Sequence, residues 1–479
     1  MITFDSKMLN KFAEENKSFF TGARINKIQQ PTRREIILYL RNNGKTKQFY
    51  INIDPQVYHI CFINENSFNK RRLIIPQKPP MFCMLLRKYL NNSKIAKINQ
   101  PEGERILELY FETYNELGDS IYFCLAIELM GKYSNVILYN TDTGIIIGCA
   151  HNVGADKSQK REVYGQIPYT YPPKHIDYTF LNQRYGFLDS FNKNIYSDRI
   201  NDIIDQYYAG QISRIKFKTT KNDYLSQVNQ KLTKCIKALK ETTLQIIKNK
   251  NSEKYRLQAD LLMANLYNLK DYTKEAKVFD YENNQAITIE LDETKTIKEN
   301  ANVFYKKYNK TKKSNEKIKE LNEEYLQKKI YYEQLLYSIT ASETHEELEE
   351  LKDEVESITP IEKYDKRAIE PLKIEKENET RIYIGKNNKQ NDYIISKLAS
   401  EDDLWFHTKD CPGSHVLLKT QKLTDELILE CAKLAKKYSS GSDSSKIGVI
   451  YTKRKYLRKP PKANLGYVTY KNEKEIIID

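Results

Sequence analysis

Residues able to do chemistry are concentrated in one short stretch near the end of the chain, positions 391–419. This stretch contains the only tryptophan, Trp405, two of the six histidines, His407 and His415, and a Pro412-Gly413 pair. An imidazole can bind a metal, transfer a proton or donate a hydrogen bond to a phosphate. No other part of the sequence is so dense in such groups.

The sequence around the Pro-Gly pair predicts a hairpin. Positions 403–408 favour a short strand, because Leu, Trp and Phe suit a buried pleated position. Proline presets φ and glycine admits a positive φ, so a tight loop is expected at 411–414, before a second strand at 415–419. We expect this loop to present four side chains together on one rim: Lys409, Asp410, Ser414 and His415.

Four interpretations of this rim remain open. His407, Asp410 and His415 offer metal ligands, although their spacing is none of the usual zinc patterns. Histidine and serine suit a catalytic centre, but no nucleophile-elbow motif marks Ser414. In a structural role, Trp405 is core and the histidines are hydrogen-bonded corner residues. Backbone N–H groups beside a glycine, with lysine and histidine, can instead hold phosphate oxygens, which the charge of the chain favours.

The charge of the chain is strongly positive. Its 479 residues include 78 Lys and Arg against 64 Asp and Glu, giving a net charge of +14, with 36 tyrosines. Lysine neutralises phosphate and aromatic rings stack on bases, so this composition favours a nucleic-acid partner. A general bias towards lysine, asparagine, isoleucine and tyrosine is the alternative explanation. The length suits about three or four domains.

Cysteine usage and the N-terminus bear on the compartment. The seven cysteines include no CxxC pair and mostly lie in apolar runs, as expected for small buried residues in a reducing cytosol. The first residues lack the basic head and apolar run of a secretory signal. No run of about 18 apolar residues could span a membrane. We therefore expect a cytoplasmic protein with no membrane partner.

Positions 1–174 predict a mixed α+β unit. An amphipathic helix over positions 1–20 is followed by a β-hairpin with Asn42-Asn43-Gly44 at its turn. A helix over 82–90 begins after two prolines, and a second set of strands follows it. A proline-rich segment then marks a boundary. No internal repeat is evident.

Two turns of this unit hold charged or polar groups. Glu104 and Arg105 are adjacent at a junction between a turn and a strand, and Lys132 and Asn135 follow Glu128 between two strands. On the residues alone, the first is a surface ion pair of little energetic value and the second an ordinary hairpin turn.

The middle of the chain is helical and highly charged. Helices are predicted over 198–250, 301–338 and 344–356. The last two are joined by a short turn, which is typical of an antiparallel coiled-coil hairpin. Such a hairpin is a solvated strut or an arm whose tip contacts a partner.

The last domain contains two further loops suited to RNA. One is a donor-rich turn at 386–389. The other, at 453–462, is the strongest basic run in the chain and contains a tyrosine. An exposed solvated loop is the alternative for any basic run. Three such loops in one small α+β domain favour an RNA-binding face.

At this point the sequence resembles a known family. NDYIISKLASEDDLWFHTKDCPGSHV, positions 391–416, resembles the signature of the NFACT-R domain, and the whole chain resembles the bacterial RqcH branch of the NFACT family. The resemblance implies an α+β multidomain protein. Its parts are an NFACT-N domain at 1–174, similar to the N-terminal fold of formamidopyrimidine-DNA glycosylases, a linker or remnant of a helix-hairpin-helix module at 175–204, a helical region with a long antiparallel coiled-coil arm at 205–365, and an NFACT-R RNA-binding domain at 366–479.

The resemblance also implies a function. Similar proteins bind a stalled large ribosomal subunit with its peptidyl-tRNA and 23S rRNA, recruit alanyl-tRNA, and promote template-free alanine tailing that marks the nascent chain for degradation. The ribosome makes the peptide bonds, so no enzyme activity, cofactor or metal is expected.

The family motifs and the residue chemistry together give the predicted binding residues. The family motifs imply that tRNA is bound by Glu104, Arg105, Lys132 and Asn135, with Glu104 where the family usually has Asp. In the last domain, we expect RNA to be bound by Lys386, Asn387, Asn388, Lys389, Asn391, Asp392, Trp405, His407, Lys409, Asp410, Ser414, His415, Lys453, Arg454, Lys455, Arg458 and Lys459.

Two functions of other classes are weighed against this one. A surface adhesin is suggested by the label of fibronectin-binding protein often given to the family, but the chain has no secretion or anchoring features. A glycosylase would use an N-terminal proline amine and a following glutamate for Schiff-base chemistry. Positions 2 and 3 are Ile2 and Thr3, which opposes that chemistry.

Overall fold

The computed structural model describes residues 4–114, 118–156, 160–173, 199–249, 252–281, 283–358, 370–377, 379–461 and 463–479. The predicted mixed α+β multidomain class is confirmed, and the chain forms two compact units, 1–217 and 218–479. Most of the predicted linker or helix-hairpin-helix remnant at 175–204 lies outside the described residues. None of the helices in the described ranges has an apolar stretch long enough to cross a lipid bilayer.

The first unit is built on one large antiparallel sheet. Its strands are β1 (Arg24–Thr32), β2 (Glu35–Asn42), β3 (Lys45–Asn52), β4 (His59–Ile63), β5 (Lys94–Asn99), β6 (Ile106–Tyr114), β7 (Ser120–Glu128), β8 (Asn135–Asn140) and β9 (Ile146–Cys149). Their order across the sheet is β4-β3-β2-β1-β5-β6-β7-β8-β9. The helices of this unit are α1 (Ser6–Phe20), α2 (Glu65–Lys70), α3 (Met81–Leu90) and the first part of α4 (Ile200–Asn249).

The predicted hairpin turn is confirmed. Asn42 pairs with Lys45, and Asn43 and Gly44 both have positive φ, 49° and 76°. Two central residues with positive φ match the right-handed twist of a two-residue hairpin, which is why Asn-Gly is favoured there.

The expectation that the chain lacks an internal repeat is wrong. The helix and bulged hairpin formed by α1, β1, β2 and β3 recur as α3, β5, β6 and β7. Strands β1 and β5 pair antiparallel at Arg24 and Lys94, which are equivalent positions of the two copies. Gly22 N donates to Ile95 O at 2.8 Å, and the matching Asn92 N donates to Ile25 O at 3.0 Å. The two copies are therefore related by a local two-fold axis between these strands.

The copies share few identical residues, so the repeat is difficult to detect from sequence. Both first strands have a bulge at the same place, after Ile25 and after Ile95. Lys27 lies over the ring of Tyr39 at 5.3 Å, and the copy repeats this contact with Lys97 and Tyr110 at 5.6 Å. Two copies of one bulged hairpin thus form the centre of the sheet.

A buried ion pair ties the start of α4 into this unit. Arg71 Nη1 lies 2.5 Å from Asp205 Oδ1, and both side chains are buried. The carbonyl oxygen of Asp205 also accepts from Arg71 at 3.2 Å. Removing either partner alone would leave an uncompensated buried charge and is expected to destabilise this unit.

The second unit contains long helices and a smaller sheet. Its helices are the rest of α4, α5 (Ser252–Ala264), α6 (Ile297–Ala341), α7 (His345–Glu356), α8 (Asn388–Tyr393) and α9 (Asp425–Lys437). Its strands are β10 (Glu275–Asp280), β11 (Gln285–Glu290), β12 (Leu372–Glu375), β13 (Arg381–Ile384), β14 (Leu404–Thr408), β15 (Val416–Lys419), β16 (Ile447–Lys453), β17 (Leu457–Arg458), β18 (Thr469–Tyr470) and β19 (Lys474–Ile478).

The long helices do not pair as the sequence suggested. Helix α6 was expected to pair with α7, and Tyr331 of α6 does donate to Glu354 of α7 at 2.6 Å. The longer partner of α6 is α4, because Cys235 contacts the carbonyl of Tyr325 at 3.1 Å and Asn322 donates to Thr242 at 2.8 Å. Helix α7 has only 12 residues and cannot cover a 45-residue helix.

The last part of the second unit is a six-stranded antiparallel sheet in the order β12-β13-β15-β14-β16-β19. The predicted pair of strands around the Pro-Gly loop is confirmed as β14 and β15, which pair directly. Phe406 packs with Cys431 of α9 in one apolar cluster, whereas Trp405 packs with Ile394 and Leu417 in another. Alternate residues of β14 thus enter two different cores.

Candidate nucleic-acid interface

A cleft of about 810 Å³ in the first unit brings together the four residues matched to family motifs, Glu104, Arg105, Lys132 and Asn135. Pairs of strands position them. Glu104 and Arg105 end the turn between β5 and β6, and the other two residues lie between β7 and β8 or at the start of β8. The rest of the lining includes residues that sequence reasoning missed: Arg34, Tyr133, His151, Lys160 and Arg161.

The turn between β7 and β8 lies beside the loop that contains Tyr58. Gly131 has φ +62°, and a Cβ there would lie 3.7 Å from the ring of Tyr58. Lys132 is exposed beside it. Asn135 is buried, and its side chain donates to the carbonyl of His151 at 2.8 Å and accepts from the His151 N–H at 3.0 Å. Asn135 therefore fixes the wall of the cleft.

Glu104 and Arg105 differ in exposure. Glu104 is buried, with 8% of its surface accessible, and its carbonyl accepts from Gln100 Nε2 at 2.8 Å. Arg105 is half-buried and its Nη1 donates to the hydroxyl of Tyr58 at 3.3 Å. The guanidinium is therefore bound to a neutral partner, and its charge remains available to a ligand.

A buried ion pair closes one side of the cleft. Arg161 donates two hydrogen bonds to Glu128, at 2.9 and 2.8 Å, and the hydroxyl of Tyr169 donates a third at 3.0 Å. Burial raises the pKa of Glu128, although the three donors act to lower it. This pair joins the end of β7 to the segment that follows β9.

The predicted rim of the Pro-Gly loop is only half exposed. Lys409 and Asp410 are exposed, as expected, but Ser414 and His415 are 1% and 4% accessible. The expectation of one common rim is wrong, because β15 begins at Val416 and draws the two preceding side chains into the core.

Trp405 and the two histidines of the signature pack together, with Trp405 and His415 buried and His407 half-buried. Trp405 stacks parallel to His407 with ring centroids 5.8 Å apart, and His415 packs edge-on to both at 5.2 Å. Burial lowers the pKa of both histidines, that of His415 well below its usual value, so they are neutral at pH 7. Among the described residues, no group of three or more His, Cys, Asp or Glu side chains is arranged to hold a metal ion.

The donor-rich turn at 386–389 begins helix α8 and is not an open loop, which corrects the expectation. Asn387 caps the helix by accepting from Gln390 N. Several polar side chains of this turn and helix are buried, namely Asn387, Asn388, Asn391 and Asp392.

The same turn is held by the acidic face of α7. Lys386 pairs with Glu347 at 2.8 Å, Asn388 donates to Glu354 at 2.9 Å, and Lys389 pairs with Asp353 at 3.1 Å. Asn387 also donates to Glu350 at 2.9 Å. Burial raises the pKa of Glu354. The donors that were expected to meet phosphate therefore have carboxylate partners within the chain.

The basic run remains at the surface. We use the name basic strip for its exposed cations and the nearby lysine of the Pro-Gly loop: Lys409, Lys453, Lys455, Arg458 and Lys459. Arg454 is half-buried and donates to the carbonyl of Ile395 at 3.3 Å. Lys453 and Lys455 share Asp402, at 3.0 and 3.1 Å. Lys409 pairs with Glu475 at 2.8 Å, and Lys459 pairs with the buried carboxylate of Asp392. Ion pairs between exposed side chains are weak, so Lys409, Lys453 and Lys455 can still bind phosphate.

Models of known families match both the part of the chain that contains the cleft and the part that contains the basic strip. Residues 5–194 and 175–370 match the model of the NFACT N-terminal and middle domains. Residues 372–472 match the model of the NFACT protein RNA binding domain, which contains both the aromatic cluster and the basic strip.

Individual relatives match over the full length. The chain is 27% identical to the Rqc2 homolog RqcH of Bacillus subtilis (strain 168), covering 100% of this chain and 98% of the relative. It is 26% identical to the Rqc2 homolog RqcH of Streptococcus pneumoniae serotype 2, covering 99% and 97%. A structure of the C-terminal part of the fibronectin/fibrinogen-binding protein of Streptococcus suis covers 55% of this chain and 94% of that structure, at 25% identity and a TM-score of 0.43, which is too low to establish a shared fold. The family models span most of the sequence, and the chain therefore belongs to the NFACT family.

Proposed function

We propose that this protein is a cytoplasmic factor of ribosome-associated quality control. It binds the large ribosomal subunit stalled with a peptidyl-tRNA, contacts 23S rRNA and recruits alanyl-tRNA. Alanine is then added to the C-terminus of the nascent chain without a template, which marks the chain for degradation. The ribosome makes the peptide bonds, so this protein acts by positioning tRNA, not as an enzyme, and needs no cofactor.

One observation carries the proposal. Glu104, Arg105, Lys132 and Asn135 are up to 31 positions apart in sequence, and all four line a single cleft. Side chains brought together in a concave site are a better indication of a binding function than the same residues scattered over a surface.

The cleft residues divide into those that contact RNA and those that hold the site. Arg105 and the exposed Lys132 supply cations for phosphate oxygens. Glu104 is buried beside Arg105, and Asn135 supports the wall through His151. The cleft therefore offers cations to the RNA backbone from walls that buried polar side chains hold in place.

In the C-terminal domain, we assign RNA contact to the basic strip. Tyr456 and Tyr470 are partly exposed in the same part of the domain, and Lys455 lies over the ring of Tyr456 at 5.7 Å. The buried residues of the signature, above all Trp405 and His415, keep the strands in place beneath it. They support RNA binding without contacting RNA.

In the same proposal the chain has four parts, with limits at 1–174, 175–204, 205–365 and 366–479. The first part is similar in fold to the N-terminal domain of formamidopyrimidine-DNA glycosylases. The antiparallel pair of α4 and α6 supports an arm that extends towards the ribosome.

RNA recovered with the tagged protein from cells tests the function, with Arg105→Ala beside the wild type. We expect enrichment of 23S rRNA and of one tRNA, and loss of the tRNA in the variant. Arg33→Ala is a matched control, because Arg33 is exposed and does not line the cleft. If no ribosomal RNA is enriched, the proposal is wrong, and binding to fibronectin or a borohydride-trapped DNA adduct would favour the adhesin or glycosylase alternatives.

A further inference from the structure

The duplicated hairpin of the first unit has an arginine at the same place in each copy. In the first copy Ile28 pairs with Leu38, and in the second Ile98 pairs with Leu109. Counting back along the second strand of each hairpin makes Arg34 equivalent to Arg105.

A hydrogen bond supports this equivalence independently. The carbonyl of Arg34 accepts from the N–H of Ile53 at 2.9 Å, and the carbonyl of Arg105 accepts from the N–H of Leu129 at 2.9 Å. The two arginines thus have the same backbone position in the two copies. Both side chains line the one cleft.

We propose that Arg34 is a second RNA-binding arginine of the cleft, and that it contacts the phosphodiester backbone alongside Arg105. The inference rests on the proposed function, because it assumes that RNA enters this cleft. A guanidinium binds phosphate through paired hydrogen bonds, so two of them would fix both the position and the direction of a strand.

The surroundings of Arg34 suit this role. Its Nη1 lies 3.0 Å from Asp54 Oδ2, and both side chains are partly exposed, at 46% and 35%. An exposed ion pair of this kind is weak, so a phosphate can replace the carboxylate. Met130 occupies the place of Asp54 in the second copy, and Arg105 contacts Tyr58 there instead. Asp54 therefore holds Arg34 in place until RNA arrives.

Fluorescence anisotropy with labelled total tRNA tests the inference in the full chain at several salt concentrations. We expect Arg34→Ala to weaken binding roughly tenfold and to reduce the slope of log affinity against log salt by about one, as for loss of one phosphate contact. Arg33→Ala removes the same charge one residue away, outside the cleft lining, and is expected to change affinity less than about twofold.

Removing Asp54, the counter-ion of Arg34, should change the RNA affinity in the opposite direction. Asp54→Asn keeps the shape of the side chain and is expected to tighten binding about two- to threefold, because RNA no longer competes with a carboxylate. The gain should vanish in the Arg34→Ala background. If Arg34→Ala fails to fold, Arg34→Gln carries the same test.

The outcomes separate this inference from the proposed function. If Arg105→Ala weakens binding but Arg34→Ala behaves like Arg33→Ala, the inference about Arg34 is wrong and the cleft remains the RNA site. If neither variant differs from Arg33→Ala, RNA does not use the cleft and both proposals are overturned.

Discussion

The residues that line the cleft of the first unit come from separate segments between Arg34 and Pro173, whereas the candidate residues of the C-terminal signature lie close together in sequence, from Trp405 to His415. The dispersed residues converge on one concave site. These neighbouring residues separate in the structure, since Trp405 and His415 are buried while Lys409 and Asp410 stay at the surface. A dense run of chemical groups in sequence is thus a poor guide to a surface site, because both faces of β14 pack into cores and only the start of the loop after it is exposed.

The largest loss of stability is expected for a substitution in the C-terminal signature. Trp405→Ala is expected to cost the second unit on the order of 4 kcal/mol, because it removes a large, fully buried side chain. Urea denaturation followed by circular dichroism measures this loss. A variant with near wild-type stability but lost RNA binding would show that Trp405 contacts RNA directly, and would break the comparison.

The next largest loss of stability is expected when the buried ion pair of the cleft, between Arg161 and Glu128, is broken. Arg161→Ala leaves Glu128 charged and buried, at a cost on the order of 3 kcal/mol near pH 7. Loss of the two hydrogen bonds from Arg161 raises the pKa of Glu128 further, so the folded variant takes up a proton that the unfolded chain binds only near pH 4. Its deficit relative to the wild type should therefore shrink as pH falls from 7 to 4.

Urea denaturation followed by circular dichroism, at several pH values between 7 and 4, measures this deficit. The double variant with Glu128→Gln should recover part of the loss. If it recovers nothing, the cost does not arise from the buried charge.

The contact between α7 and α8 should give a smaller effect with a distinct pH dependence. Glu354→Ala leaves Tyr331 and Asn388 without their acceptor, at a cost of about 2 kcal/mol. The folded pKa of Glu354 is raised, so its contribution is full below the unfolded pKa and is lost as pH rises through the folded pKa. Glu354→Gln should keep the hydrogen bonds and flatten this dependence, which Trp405 fluorescence can measure.

The smallest effects should come from the basic strip. Lys453→Ala and Lys455→Ala each remove one exposed cation, so each is expected to weaken RNA binding by about 0.5 to 1 kcal/mol without changing stability. Anisotropy at two salt concentrations measures the loss, and Lys373→Ala, an exposed lysine of β12, is the control. Equal losses in all three variants would indicate a diffuse charge effect and no defined strip.

Local structure was readable from the sequence where local chemistry decides it. The Asn-Gly turn, the strands on either side of the Pro-Gly loop and the helix after Pro79-Pro80 were all predicted, because each depends on a few adjacent residues. The pairing of α6 with α4 was not, since the two helices are separated by α5 and a β-hairpin. The duplication was missed because packing on both faces of a sheet requires apolar residues but few identities.

The sequence by itself determined the α+β class, the family signature and the basic character of the chain, because all three depend on residue type and order. Only the tertiary structure decided which groups reach a ligand. It placed Arg34 and Arg105 in the lining of one cleft, buried His415, and gave Lys386 a carboxylate partner on α7. Exposure and pairing depend on contacts between segments far apart in the chain, and neither composition nor spacing records those contacts.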